Sequence, residues 1–256
     1  MNALDLVQLQ AWMGSLFWAL GRVAGLCLVA PVFSSSMVPA RIRIGLILVL
    51  TLILAPLASA AIDPLSGAGV VAMLGQVLVG AAIGFVLRMA FEAVALGGEL
   101  VSQSMSLGFA SVADPQTGAS STVLSQFYLM LVTLLFVVMD GHLRLIALLA
   151  DSFHGLPAGE PAISAKGLYA VAGFAAELFA GGVRVALPAM TSLLVVNIGF
   201  AAISRAAPSM NLFAVGFPIT VSLGFIALWL SLRSLPGAFD ALQDGAWDLM
   251  RDLAGG

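Results

Sequence analysis

Five charge-free stretches, residues 44–62, 64–87, 115–139, 185–204 and 206–232, constrain this chain more than anything else in it. Each is near or above the roughly 18 residues that a helix needs to cross the hydrocarbon of a bilayer. One water-soluble core cannot absorb so much apolar helix. Across all 256 residues, 61% are hydrophobic and 9% charged, against about 45–50% and about 25% in an ordinary soluble domain. With the amino-terminal pair, residues 6–21 and 23–40, the pattern predicts an all-α, membrane-associated protein of roughly six long helices broken by Gly and Pro.

Punctuation places the breaks. Pro31 and Pro39 separate the first helix from a second that Arg41 and Arg43 open. Pro56, Asp63-Pro64 and Gly67/Gly69 close the second, because the residue before proline avoids helical geometry. A third helix is expected over about 70–101, a fourth over about 122–149, a fifth over 168–204 and a sixth over 211–235, the last two with internal Pro188 and Pro218. A polar link, residues 151–167, lies between the fourth and fifth. The tail places Phe239, Leu242, Ala246, Leu249, Met250 and Leu253 opposite Asp240, Asp244, Asp248 and Asp252. That spacing predicts an amphipathic helix with a solvated acidic face.

Charge excludes some functions. The formal net charge is −3 and the ten Lys and Arg form no cluster, so nucleic acid is not an expected partner. The amino end has Asp5 and no basic residue before its apolar run, which predicts a retained first helix rather than a cleaved signal. The single cysteine, Cys27, forms no internal disulfide and reads as a small buried hydrophobe. No HExxH, GxSxG or phosphate-cradling glycine loop is present, and neither His142 nor His154 has an organised partner beyond a polar neighbour, Asp140. Neither catalysis nor a cofactor is expected.

Two features carry functional weight. Arg88, Glu92, Glu99 and Gln103, spaced four, seven and four, form one polar stripe on a continuous third helix. Ionisable groups in apolar helices cost several kcal/mol unless paired or facing water. The stripe is therefore either an Arg88–Glu92 pair that fixes packing, or a polar wall or subunit contact. Glu177 and Arg184 repeat the theme seven apart on the fifth helix, and Arg205 follows among small residues. The second feature is the segment 104–122, SMSLGFASVADPQTGASST, between two apolar runs. It is longer than a connector needs, and irregular backbone among such helices is tolerated only under protein cover or beside water. It reads as lining or blocking a passage. Small residues at Gly80/Gly84, Gly97/Gly98 and Gly181/Gly182 permit close helix approach.

Arg22 with Pro31, VPARIR at 38–43, GAAIGF at 80–85, the run from Gly97 to Pro115, DGHLRLIALLADSF at 140–153 with Pro157, and APSMNLFAVGFPI at 207–219 occur here in one order. This set resembles the FliR family of flagellar export-apparatus proteins over nearly the whole chain. The resemblance implies a non-enzymatic, multi-pass subunit at the bacterial inner membrane and flagellar basal body. Its implied partners are FliP-like and FliQ-like subunits, an FlhB-like protein and unfolded flagellar export substrates. It further implies a FliP-like portion over 1–150 and a FliQ-like portion over 168–256. The loop at 105–114 would then plug the channel, through Met105, Leu107, Gly108, Phe109, Ser111, Val112 and Asp114. Phe109 has the small neighbours Gly108 and Ala110, Met adapts to irregular surfaces, and Asp114-Pro115 would turn the loop back. The competing expectation is a secondary transporter of a small solute, which the broken helices and intramembrane charges also allow. That reading requires inverted repeats, and the sequence has none.

Overall fold

A computed structural model describes residues 3–35, 38–58, 62–64, 66–107, 122–159, 163–206 and 212–255. Among these the chain is helical and forms no strand. In order come α1 (Ala3–Val29), α2 (Pro31–Ser34), α3 (Ala40–Leu54) with a 3-10 turn Ala55–Leu57, and α4 (Gly67–Ser104). They are followed by α5 (Val123–Val138), α6 (Gly141–Gly155), α7 (Ala165–Ala206), α8 (Leu212–Ser231) with a 3-10 turn Leu232–Ser234, and α9 (Leu235–Leu253).

Proline sets the early boundaries as expected. Ala30, just before Pro31, is extended with φ −63 and ψ 128, which ends α1. Pro31 then starts α2, where a missing N–H costs nothing. Pro188 and Pro218, by contrast, lie inside continuous helices. Neighbouring hydroxyls bond carbonyls beside each ring: Thr191 to Leu187 O at 2.8 Å, Ser192 to Pro188 O at 2.9 Å and Ser222 to Pro218 O at 2.8 Å. This is local back-bonding to the i−4 carbonyl, in which each hydroxyl is satisfied within its own helix.

The first helix passes straight through Arg22 and ends at Val29, ahead of Pro31, as expected. One expectation needs correction. The fourth helix is not continuous over 122–149: it breaks at Met139 and Asp140, and α5 and α6 diverge by 66°. Asp140 takes φ 56, a left-handed geometry that Asp tolerates better than most residues. Gly141 follows because the Phe136 ring occupies the space a Cβ would take. The Asp-Gly pair was the available signal for a turn.

Among the described residues, five helices are long and apolar enough to cross a membrane, or six if the bent α5–α6 pair counts as one span. Their apolar faces are largely uncovered. Only 17% of the Ala165–Ile203 stretch is buried, and α3 exposes Ile44, Leu48, Val49, Leu52 and Ile53. Surface of this kind must meet lipid or other subunits.

The chain divides into two compact units, one of Met1–Met89, Phe136–Ala175 and Asp244–Gly256, the other of Ala90–Leu135 and Ala176–Gln243. In the first, α1 packs on α3 and α4 around Trp18, Val23, Leu26, Cys27, Ile83 and Leu87, all buried. Contact between α1 and α4 is backbone to backbone. A Cβ on Gly80 would fall on the Arg22 carbonyl, one on Gly25 on the Val77 carbonyl, and one on Gly84 would lie 3.0 Å from Leu26 O.

In the second unit, Gly182 meets Leu96 and the Ala93 carbonyl, Gly97 meets Val185, Gly98 meets Leu124 and Ser125, and Gly181 meets Leu242. Phe91 and Phe239 meet edge to face at 5.6 Å. All six small residues singled out in the sequence thus serve as packing positions. Along α9, Phe239, Leu242, Ala246, Met250 and Leu253 are buried while Asp240, Asp244, Asp248 and Asp252 are exposed, as the spacing predicts.

Gly80→Ala should force α1 from α4 and cost about 1–3 kcal/mol, as overpacking does. Gly199, whose Cβ would meet nothing within 4 Å, should accept Ala with a slight gain, about 0.5–1 kcal/mol. Melting temperatures of the two purified variants, measured side by side, check the contrast.

Candidate functional site

Arg22 sits in the middle of α1 with none of its surface exposed. A guanidinium is all donor, and here each branch has an oxygen. Nε donates to Gln76 Oε1 of α4 at 2.9 Å. Nη1 donates to the Ser152 carbonyl at 2.5 Å and the Ser152 hydroxyl at 2.9 Å, and Nη2 to the Leu156 carbonyl at 2.6 Å. The Phe153 ring lies 4.3 Å from the guanidinium carbon, in cation–π range. Ser152 keeps its own proton for Leu149 O, 2.7 Å away.

The arrangement follows from helix termini. The end of α6 carries its negative dipole end, and Arg22 supplies positive charge there, a donor for the Leu156 carbonyl and a second donor for the Ser152 carbonyl, which also accepts the Leu156 N–H at 3.0 Å. Arg43 does the same for α2, donating to the carbonyls of Phe33, Ser34 and Ser35 at 3.0–3.2 Å. Sequence reasoning used Arg22 only as a motif residue and Arg43 only as a helix opener. The missed signal was a single cation inside an otherwise apolar helix.

In the second unit the base of the long loop is built from both of its stems. The carboxy end of α4 closes with Ser106 at φ 61, its N–H on Gln103 O at 3.0 Å and the Leu107 N–H on Ser102 O at 3.1 Å. These two bonds form a Schellman closure, in which the left-handed position is usually glycine. On the other stem, Thr122 precedes α5, and its hydroxyl accepts the Ser125 N–H at 3.3 Å, an N-cap.

Glu99 ties the stems together. It accepts the Thr122 hydroxyl at 2.7 Å and the Thr122 N–H at 3.3 Å through one oxygen, and Gln103 Nε2 at 3.3 Å through the other. Ser125 adds a bond to Ala95 O at 3.0 Å. Met105 is completely buried, with Gly224 of α8 so close that a Cβ there would strike its side chain. Leu107 is half-buried. Gly108, Phe109, Ser111, Val112 and Asp114 lie outside the described residues.

The polar stripe of α4 is on the surface of the isolated chain. Arg88, Glu92 and Gln103 are exposed and Glu99 is half-buried by its contact with Thr122. Glu177 and Arg184 of α7 form an ion pair at 3.7 Å with more than half of each side chain exposed, so in water it would contribute at most about 1 kcal/mol. Arg205, exposed, stands in the last turn of α7. His142 is half-buried in α6 and His154 exposed near its end.

Residues 13–245 match the profile of the bacterial export proteins, family 1. Several relatives carry the description flagellar biosynthetic protein FliR, among them three from distinct bacteria. One, from Pectobacterium carotovorum subsp. carotovorum, is 36% identical over 98% of this chain and 96% of its own length. Another, from Escherichia coli strain K12, is 35% identical over 95% and 94%. The third, from Aquifex aeolicus strain VF5, is 32% identical over 90% and 89%.

Replacing Arg22 by Lys keeps the charge but cannot serve Gln76, Ser152 and Leu156 together. With at least one of these oxygens left short of a donor, Arg22→Lys should destabilise the first unit by about 1–3 kcal/mol, read as lower yield and faster proteolysis in detergent. Wild-type protease resistance in that variant would refute the assignment of Arg22 as the cap of α6.

Proposed function

The chain belongs to the bacterial export proteins, family 1, and from that membership we propose that it is a non-enzymatic, multi-pass subunit of a flagellar type III protein export gate in the bacterial inner membrane. Its relatives' description, flagellar biosynthetic protein, supports the flagellar setting. On this reading it packs with FliP-like and FliQ-like subunits, and beside an FlhB-like protein, around the path taken by unfolded flagellar substrates. Residues 1–150 form the FliP-like portion and residues 168–256 the FliQ-like portion.

The uncovered apolar faces of α3 and α7 support a subunit that completes its packing against neighbours. So do the charges on otherwise apolar helices: Arg88 and Glu92 of α4 and Glu177 and Arg184 of α7 are exposed in the isolated chain, where hydrocarbon would penalise them by several kcal/mol. Contact with polar groups of another subunit, or with a water-filled lumen, removes that cost. Arg205 belongs to the same set.

The observation that carries the plug reading is the Glu99–Thr122 tie. It holds together two stems that leave α4 and α5, so residues 108–121 start and end at one fixed base. From such a base Phe109 can fill a narrow lumen by apolar contact, with Leu107, Gly108, Ser111, Val112 and Asp114 around it. Met105 has a different part in this scheme: buried against Gly224, it is the anchor of the plug.

Deleting residues 108–113 should yield an ion-leaky gate that still assembles, measured as loss of membrane potential in cells with a normal yield of complex. A tight membrane with intact complex would sink the plug. Glu99→Ala should leak less severely, because a cap of this kind is worth about 1 kcal/mol. The mass of the intact detergent-purified assembly separates the gate from the transporter reading: two further small hydrophobic proteins must accompany the chain, whereas a transporter would be isolated alone.

A further inference from the structure

The first unit also holds a groove of about 510 Å³, whose lining includes neither Arg22 nor its partners. One wall is a helical stripe of α6, Arg144, Ala147, Leu148, Asp151 and Gly155, and the other is the end of α9, Trp247, Arg251 and Ala254 with Gly255. We propose that this groove binds the headgroup of a zwitterionic aminophospholipid, its phosphate between Arg144 and Arg251 and its ammonium toward Asp151 and the carbonyls that end α9.

The chemistry of the walls is mixed, and the mixture is what selects this occupant. Arg144 is exposed and lies 4.9 Å from the Trp247 ring centroid, which fixes its guanidinium plane without consuming its donors. Trp247 is itself only 2% exposed and stacks on Phe136 at 6.4 Å, so this rim is rigid. Arg251 pairs with Asp248 at 2.8 Å but keeps 58% of its side chain exposed. Two guanidiniums flanking one groove suit a phosphodiester, which accepts hydrogen bonds in the planar, paired manner that Arg offers.

A purely anionic headgroup would fit only half of the site. The backbone ends of two helices converge there, since a Cβ on Gly155 would fall on the Ala254 carbonyl and come within 3.0 Å of Gly255 O. The end of α6 is already held by Arg22, but the carboxy end of α9 is negative and Asp151 adds a full negative charge, so the same groove offers acceptors to an ammonium. Leu143, next to Arg144 in α6, and Val137 and Val138, just before the α5–α6 bend, are exposed at 55%, 44% and 78%. They supply apolar surface for acyl chains, and a soluble zwitterion would have no use for them. The proposal needs the chain to lie in a membrane and does not depend on its being part of an export gate.

Native mass spectrometry of the full chain, purified in detergent with whatever subunits accompany it, tests the assignment using phosphatidylethanolamine, phosphatidylcholine and phosphatidylglycerol of matched acyl chains. Phosphatidylethanolamine should be retained over both others by about tenfold, the weight of one charge-assisted hydrogen bond. Arg251→Gln, at an exposed position, should lower that retention about tenfold, and Asp151→Asn should abolish the preference over phosphatidylcholine. Equal retention of the three lipids by the unaltered chain overturns the proposal. So does unchanged retention in an Arg144→Gln, Arg251→Gln double variant that melts like the parent, and so does equal displacement by soluble phosphoethanolamine, which would make the ligand a free phosphate ester.

Discussion

Every helix end in an apolar setting leaves carbonyls without donors, and in the first unit of this protein two arginines supply them. Arg22 reaches from the middle of α1 to the last turn of α6, with Gln76 of α4 holding its third side. Arg43 reaches back from α3 to α2. Water serves such carbonyls in a soluble protein, but hydrocarbon and tight packing cannot. A buried guanidinium meets the need because its donors are many, its charge opposes the helix dipole, and its plane can stack on Phe153.

Glycine is the second half of the same economy. Between apolar helices there is no hydrophobic drive once lipid surrounds them, so van der Waals contact at short range must hold them together. Gly25, Gly80 and Gly84 bring the backbones of α1 and α4 into direct contact, which places Arg22 beside Gln76. In the second unit, Gly98 lets α4 approach α5 closely enough for Ser125 to bond Ala95 O and for Glu99 to reach Thr122. Close packing and polar pairing are thus one design, because short hydrogen bonds between helices exist only where no side chain stands between them.

Much of the helical layout was legible beforehand. The expected 70–101 and 168–204 became Gly67–Ser104 and Ala165–Ala206, and the alternation of Leu and Asp in the tail predicted the faces of α9 correctly. These are local properties: residue spacing, charge and proline act within a turn or two. The break at Asp140 was visible only as an Asp-Gly pair inside a strongly apolar run, and the apolar pattern masked it. The stripe from Arg88 to Gln103 was read along one helix; Glu99 bonds Gln103 along it and also reaches Thr122, 23 residues on.

By itself, then, the sequence determined that this is a chain of long apolar helices with fixed breaks, because hydrophobicity and backbone restrictions are written residue by residue. Only the tertiary structure decided which glycine meets which backbone, that Arg22 belongs to Ser152 across 130 positions, and that Met105 is buried while Arg88 and Glu92 are exposed. Those choices depend on how helices approach one another. A guanidinium can serve any carbonyl brought within reach, and spacing along the chain does not say which one packing will deliver.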